Sequence, residues 1–487
     1  MVSLSLLGTL SFLIALLVTP LVRSMAIARG WVDEPDHGQT GSRKLHRLPI
    51  PRLGGIAICL AYILSFVVLA FSPLNARHIV EQALVIRLLP AGLLIFAVGL
   101  ADDIFGLKAW TKLLGQLAAG LAVYLAGVSL HGIGGYNLPE WAQLPMTLAW
   151  LVLTTNAINL IDGMDGLATG VSLFATLTML CAALMAGNIP LAMATMPLAG
   201  ALVGFLRYNF NPATIFLGDC GSLLIGFLLG CFGLIWSQKS ATMLGMTAPL
   251  MALAIPLLDV GLSIIRRFLR GQPIFGADQG HIHHRLLAKG LTVRKSVMLM
   301  YGASMIFAIL SLLATSTHSF SGAVLVIFCA VTWIGVQGLG YVELNMAGRL
   351  LVGGGFRRVL VGQLALRSYE ESIREATSAG EAWGAVTETA LQLGFHHVSM
   401  EINGKRWETR LKDEVSGTEW TVELPLRKGD RLWLKRPFDS SVHQSALSPF
   451  FDTVRKTLVE RSETWNSSPV ESRPVQRLED LHRAAQV

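Results

Sequence analysis

The chain has 487 residues, of which 52% are hydrophobic and 15% charged, a balance that excludes an ordinary soluble globular protein and points to a polytopic membrane protein. Its net charge of +7 sits entirely in one part: residues 1–342 carry 19 Lys+Arg against 12 Asp+Glu, while residues 343–487 carry 20 of each. Charge placed this way argues against nucleic acid as a partner and for membrane topology as its cause. The five cysteines show no CxxC spacing and four lie in apolar runs, so they read as reduced packing residues rather than metal ligands.

A span needs roughly 20 mostly apolar residues. About eleven candidates follow in order: 3–22, 53–72, 83–101, 113–130, 145–161, 166–187, 189–206, 222–238, 243–265, 297–317 and 320–342. No Lys or Arg precedes the first, so it reads as a retained helix rather than a signal peptide. The connecting loops alternate in basic content. Segment 23–52 holds six Lys+Arg, 102–112 two and Arg266 to Lys295 seven; the opposite side holds only Arg77, Arg87 and Lys239. By the positive-inside rule the basic side is cytoplasmic, which puts the N-terminus outside and the C-terminus inside. Ten of the twelve acidic residues in 1–342 fall on or near that same side.

Past Tyr341 the pattern turns soluble. Residues 343–375 read as a linker. Over 376–465, "EAWGAVTETALQLGF" has helical periodicity, "HHVSMEI", "RWETRL", "EWTVELPL" and "DRLWLKR" alternate as strands, and "SPFFDTVRKTLVERSE" reads as a closing helix. The expectation is a small cytoplasmic α+β domain, similar to GAF-type modules in element order alone, acting as a folding or interaction module with no partner assigned. Residues 466–487, rich in Ser, Pro and Arg, read as a disordered tail.

Four polar clusters interrupt the membrane part, and ionisable groups at that depth are functional candidates by default. "GLADDIFGLKAWTKLLGQ" places Asp102 and Asp103 where the third span meets the cytoplasm, with Lys112 at the start of the fourth. Adjacent carboxylates repel unless a cation meets them, and Mg²⁺ or a basic group would resolve the conflict. In "NAINLIDGMDGLATG", Asn156, Asn159, Asp162 and Asp165 recur every three residues, which puts them along one helical face, with Gly163 and Gly166 allowing the helix to open after Asp162. Four oxygen-bearing side chains in ten residues suit a hard cation or sugar and base hydroxyls. In "NFNPATIFLGDCGSLLIGF", Asp219 between Gly218 and Gly221 either caps a helix together with Ser222 or approaches a metal. In "RRFLRGQPIFGADQGHIHHRLLAKG", His281, His283, His284 and Arg285 lack the Cys or HxxxH partner of a zinc site and suit a diphosphate better.

The ordered set "RKLHRLPIPRLGG", "DDIFGLKAWTK", "NAINLIDGMDGLA", "FLGDCGS" and "HIHHRL" resembles the polyprenyl-phosphate N-acetylhexosamine-1-phosphate transferases, over roughly residues 1–342. These are bacterial inner-membrane enzymes that begin lipid-linked cell-surface glycans such as O-antigen. The resemblance implies transfer of a sugar-1-phosphate, with N-acetylglucosamine-1-phosphate favoured by the HIHH form, from a UDP-sugar to polyprenyl phosphate in the inner leaflet, with release of UMP. It implies Asp102 and Asp103 as catalytic carboxylates, Asn159 and Asp219 as ligands of Mg²⁺ (Mn²⁺ able to substitute), and Lys112 and Arg285 at phosphates. It puts Asp165 near the uracil and, with it, Asn156, Asp162 and the three histidines among the substrate contacts. Membrane lipid surrounds such a protein, and a homodimer is compatible with this reading. Two rivals are a secondary transporter or flippase and, nearer, a phospho-N-acetylmuramoyl-pentapeptide transferase. A transporter would place its charges near the bilayer midplane in two related halves; here the carboxylates gather at one face and no repeat relates the halves.

Overall fold

The computed structural model describes residues 2–33, 49–71, 84–133, 136–239, 246–269, 280–316, 321–339, 355–411, 418–426, 429–437 and 447–465. The chain divides into two compact units, Met1–Tyr341 and Val342–Val487. The first is helical: α1 (Val2–Ala28), α2 (Gly54–Ala70), α3 (Leu84–Phe105), α4 (Ala109–Leu125), α5 (Glu140–Ile161), α6 (Leu167–Met185), α7 (Ile189–Asn209), α8 (Gly218–Lys239), α9 (Thr247–Ala252), α10 (Ala254–Leu269), α11 (Ile282–Ala288), α12 (Val293–Ser316) and α13 (Ser321–Gly338). Two-residue strand pairs, β1 (Val32–Asp33) with β2 (Ile50–Pro51) and β3 (Gly132–Ile133) with β4 (Tyr136–Asn137), close two of its loops.

Among the described residues, seven helices are long and apolar enough to cross a membrane: α1, α3, α5, α6, α7, α8 and α12. The sequence reading of about eleven spans is therefore matched in full length only by these seven. Segments 53–72 and 320–342 hold the shorter apolar helices α2 and α13. Segment 113–130 falls on the 17-residue α4, whose first turn carries Lys112. Segment 243–265 is broken: α9 ends at Ala252, Leu253 stands between, and α10 restarts at Ala254 with Pro256 in its first turn. Proline has no N–H to give and is tolerated there, where that donor would be unsatisfied anyway.

The bundle is built around α8. From Cys220 to Ile235 every residue of that helix is buried, as expected of a helix apolar on all sides. It packs against α2, α3 and α5, and small residues let the backbones approach. A Cβ on Gly55 would fall 2.2 Å from the Gly221 nitrogen, and one on Gly99 would fall 2.5 Å from the Asp219 carbonyl oxygen. These contacts bring the "DD" end of α3 and the first turn of α8 side by side. Every motif discussed below gathers at that end of the bundle.

The second unit contains α14 (Gly355–Glu375), α15 (Ala379–Gln392), β5 (His397–Ile402), β6 (Lys405–Arg410), β7 (Glu419–Pro425), β8 (Arg431–Pro437) and α16 (Leu447–Trp465). The four strands form an antiparallel sheet in the order β6-β5-β8-β7. Val398 pairs with Leu434 and Met400 with Leu432, and this apolar face joins Tyr369, Phe395, Phe450 and Val454 in one core. The stretch read as a linker, 343–375, is corrected over 355–375. It forms α14, whose Ala365, Tyr369 and Ile373 are buried in that core, so it is a structural wall of the unit and not a tether. Residues 343–354 and the tail 466–487 lie outside the described residues.

The close approaches give a stability prediction. Gly55→Ala and Gly99→Ala drive a methyl into backbone that cannot turn aside, and each should lower stability by about 1–3 kcal/mol. Gly92→Ala should be silent, because its Cβ would meet only Leu224 Cδ1 at 3.9 Å. Melting curves of the detergent-solubilised variants check this; equal losses at all three positions would contradict it.

Candidate active site

The site begins with the end of α3. Asp102 and Asp103 are neighbours in sequence, yet their carboxylates do different work. Asp103 Oδ1 accepts the Asp219 N–H at 2.8 Å and its Oδ2 accepts the Cys220 N–H at 2.9 Å. The first N–H groups of a helix have no partner within the helix, and Asp103 supplies one for α8 from another helix. Asp102 Oδ1 accepts the Leu107 N–H at 2.7 Å, which fixes the turn into α4. The Lys112 ammonium then donates to Asp102 Oδ2 and to Asp219 Oδ2, each at 3.0 Å. Lys112 thus ties the two carboxylates together, where the sequence had offered it for phosphate alone.

Asp219 lies in the first turn of α8 and is itself capped by Asp103, so the helix-capping role that the sequence had left open for it belongs to Asp103. Its Oδ2 also accepts from Asn159 Nδ2 at 3.1 Å. Gly218 is required before it. Its φ is +75°, and a Cβ there would lie 1.8 Å from the Arg52 carbonyl oxygen. The chain entering α2 runs beside this turn: Phe216 donates to the Pro51 carbonyl at 2.7 Å, and Gly54 and Gly55 donate to Phe216 and Leu217 at 3.0 and 2.9 Å. That docking is the work of the "PIPRLGG" stretch.

The "NLIDGMDG" residues do not share one helical face. α5 ends at Ile161, so Asn156 and Asn159 occupy its last turns while Asp162 and Asp165 fall in the turn that follows. Gly166, with φ +74°, starts α6 in a conformation costly to other residues. Asn156 is turned to Gln116, one turn beyond Lys112, through paired amide hydrogen bonds of 2.7 and 3.2 Å. Asp165 Oδ2 accepts from Asn211 Nδ2 at 2.8 Å and from the Ala213 N–H at 3.0 Å, and so braces the loop before α8. Asp162 remains in the mouth. Its burial, then the facing charges of Asp219 and Asp103, push its carboxyl well above the usual range, with Arg52 pulling the other way.

The histidines reach the same place through Gly163, whose Cβ would sit 2.6 Å from His283 Nε2. His281 stacks parallel to His283 with centroids 5.7 Å apart, and His283 lies 4.3 Å from His284. His281 and His283 are buried; His284 and Arg285 are partly exposed on α11. Burial, helped by the neighbouring His284, pushes the His283 ring from 6.5 down to about 4. The innermost imidazole is therefore neutral near pH 7, and His283 alone brings no positive charge to a phosphate.

The structure thus joins Asp102, Asp103, Lys112, Asn159 and Asp219 in one hydrogen-bonded network, with Asp162 facing it and His283 against the adjoining turn. Asn156 and Asp165 brace its edges. The sequence reading had missed Arg52, Gln116, Asn211 and Asp259. Of these, Asp259 carried a signal, being a lone acid inside the apolar run "IPLLDVGLSII". Arg52 stood inside a quoted motif without a role. Among the described residues, no group of three or more His, Cys, Asp or Glu side chains forms a ready metal cage. The donor set still fits one hard divalent cation. Asp219 and Asn159 offer carboxylate and amide oxygens, and the Lys112 ammonium between two carboxylates marks where positive charge is needed.

The family model described as glycosyl transferase family 4 matches residues 85–237, which span α3 to α8. The chain is 35% identical over 311 residues, 63% of its length and 83% of the relative's, to a probable undecaprenyl-phosphate N-acetylglucosaminyl 1-phosphate transferase of Bacillus subtilis. It is 33% identical over 324 residues, 61% of its own length and 79% of the relative's, to a decaprenyl-phosphate N-acetylglucosaminephosphotransferase of Mycolicibacterium smegmatis. It is 28% identical over 327 residues, 63% and 83% of the two lengths, to an undecaprenyl-phosphate alpha-N-acetylglucosaminyl 1-phosphate transferase of Escherichia coli.

The His283 environment predicts a pH dependence of stability. Below about pH 6.5 the unfolded chain binds a proton at this ring that the folded chain refuses until about pH 4. The unfolded state then holds more protons, so stability falls as pH drops through that window, by roughly 3 kcal/mol from this group. In His283→Gln that part of the acid loss should vanish, as read from melting temperatures between pH 7 and 4. An unchanged slope would contradict the assignment.

Proposed function

This chain belongs to glycosyl transferase family 4, and from that membership and the site we propose that it transfers N-acetylglucosamine-1-phosphate from UDP-N-acetylglucosamine to polyprenyl phosphate. The observation that carries the proposal is the network of Asp102, Asp103, Lys112, Asn159 and Asp219 at one end of a membrane-spanning bundle. The two substrates have opposite solubility, one in water and one in lipid with its phosphate at headgroup depth. A polar mouth at the end of a bundle meets both. The basic loops at that end support a cytoplasmic orientation, with the protein in the inner membrane of a bacterium.

In this reading an oxygen of the lipid phosphate attacks the β-phosphorus of the UDP-sugar. The new P–O bond forms there as the bond to the bridging oxygen breaks, and UMP leaves with that oxygen. Phosphoryl transfer asks the protein for positioning and charge neutralisation more than for covalent chemistry. Asp219 and Asn159 are the residues that would hold Mg²⁺, with Mn²⁺ as a substitute, since magnesium takes only one or two protein ligands beside substrate phosphates. When bound, the ion neutralises charge on the diphosphate. Lys112, already poised between two carboxylates, stabilises negative charge where water is partly excluded. Asp103 spends both oxygens on the α8 backbone and so fixes Asp219. Asp102 is left as the carboxylate to take the remaining proton of the lipid phosphate, whose second pKa lies near 6 like that of other phosphomonoesters. Asp162 and the histidine cluster face the nucleotide side.

None of the named relatives is a transporter or a muramoyl-pentapeptide transferase, and neither rival gains an observation here. The test is release of UMP from UDP-N-acetylglucosamine in detergent with undecaprenyl phosphate, where no gradient exists to drive transport. Asp219→Ala and Asp103→Ala should each cut turnover by at least about 100-fold. EDTA should stop the wild-type reaction, with Mg²⁺ or Mn²⁺ restoring it. Near-normal turnover by well-expressed Asp219→Ala would remove the metal assignment, and absence of lipid-linked sugar in the wild type would remove the reaction.

A further inference from the structure

α10 carries one carboxylate, Asp259, and it is 1% exposed. A buried acid needs partners, because an unmet charge at that depth is costly. Both of its oxygens are used on the start of α11. Asp259 Oδ1 accepts the Ile282 N–H at 2.7 Å, and Asp259 Oδ2 meets His281 Nδ1 at 2.9 Å. Two turns further along α10, Arg266 donates to the Gly280 carbonyl at 2.9 Å, so residues 280–282 are pinned at two points. The His281 ring lies parallel to that of His283, which is lodged against the Gly163 turn of the carboxylate site.

We infer that Asp259 is a positioning residue for donor recognition: it holds His281 by Nδ1, so that Nε2 is presented, without a proton, as the acceptor for a hydroxyl or N–H group of the sugar nucleotide. The inference rests on the transferase reading. A carboxylate can only accept at Nδ1, and it therefore selects the ring state that carries the proton there. This is the arrangement by which outer partners orient the histidines of metal sites, where its loss costs roughly 10- to 100-fold. The duller reading is that Asp259 merely caps the start of α11 through Ile282. The two differ in what an amide does at this position. In Asp259→Asn the amide oxygen can still accept from the Ile282 N–H, but the NH₂ group now faces His281 and donates to Nδ1. The cap survives and the ring is set the wrong way.

A double-mutant cycle separates them. Full-length wild type, Asp259→Asn, His281→Ala and the double variant are purified in detergent and assayed for UMP release from UDP-N-acetylglucosamine with undecaprenyl phosphate, alongside melting temperatures. We expect Asp259→Asn to lower kcat/KM for the UDP-sugar by about 10- to 100-fold with little change in melting temperature. In the His281→Ala background the same substitution should add nothing, because its effect passes through the missing ring. Multiplying losses, wild-type activity in either single variant, or failure of Asp259→Asn to accumulate where His281→Ala accumulates would each overturn the inference. A wild type that releases no UMP would instead overturn the transferase reading and this inference with it.

Discussion

Four aspartates crowd the end of this bundle, and charge neutralisation between them governs how the rest is arranged. Asp103 meets two N–H groups at the start of α8, and Asp102 and Asp219 share the Lys112 ammonium. The contacts to α8 join helices far apart in sequence, and the Lys112–Asp102 pair closes the turn between α3 and α4. Remove the ammonium and two carboxylates face each other in a partly dry pocket; remove Asp103 and the first turn of α8 loses the acceptor for two backbone groups. The same constraint that assembles α3, α4 and α8 therefore also builds the reactive surface. Asp162 stands beside them, and its burial together with their charges pushes its carboxyl well above the usual range, so the same crowding holds its ionisation back.

Close packing makes the electrostatics possible. Glycines at 55, 99 and 221 let α2 and α3 press against α8 at distances no Cβ would allow, which sets the carboxylates within hydrogen-bond reach. Gly163 does the same for the histidines. A polar site at the end of helices gains rigidity from the buried apolar shafts behind it, and α8 is buried along almost all its length. Dispersion and small-residue packing hold the bundle; a handful of charge-assisted hydrogen bonds at one end give it a chemistry.

Much of this was legible in the sequence. Acidic and basic residues sat on the same loop side, and the alternating strands of the second unit fall where their period placed them. The three-residue spacing of Asn156, Asn159, Asp162 and Asp165 misled, because α5 ends at Ile161 and the turn that follows breaks the helical period: Asn159 and Asp162 reach the carboxylates, while Asn156 turns to Gln116 and Asp165 to the loop before α8. The linker reading failed over 355–375 because a helix with a largely polar surface is hard to tell from polar chain until Tyr369 and Ile373 find a core to enter. Span counting overshot in length where a helix was cut at Leu253 or, as in α4, carried a lysine in its first turn and ended at Leu125. Partnerships such as Asp103 with the α8 backbone, Gln116 with Asn156 and Asp259 with His281 cross long sequence separations, and no local pattern announces them.

The central claim is that the carboxylate network and the histidine cluster line one pocket for a sugar-nucleotide diphosphate. Its most direct test is a high-resolution structure of the full-length protein with UDP-N-acetylglucosamine and Mg²⁺. The diphosphate is expected between the Asp219–Asn159 side and α11, with the metal against Asp219 and the uracil toward the 162–166 turn. A nucleotide bound away from Asp219, or histidines separated from it by packed protein, would contradict the account.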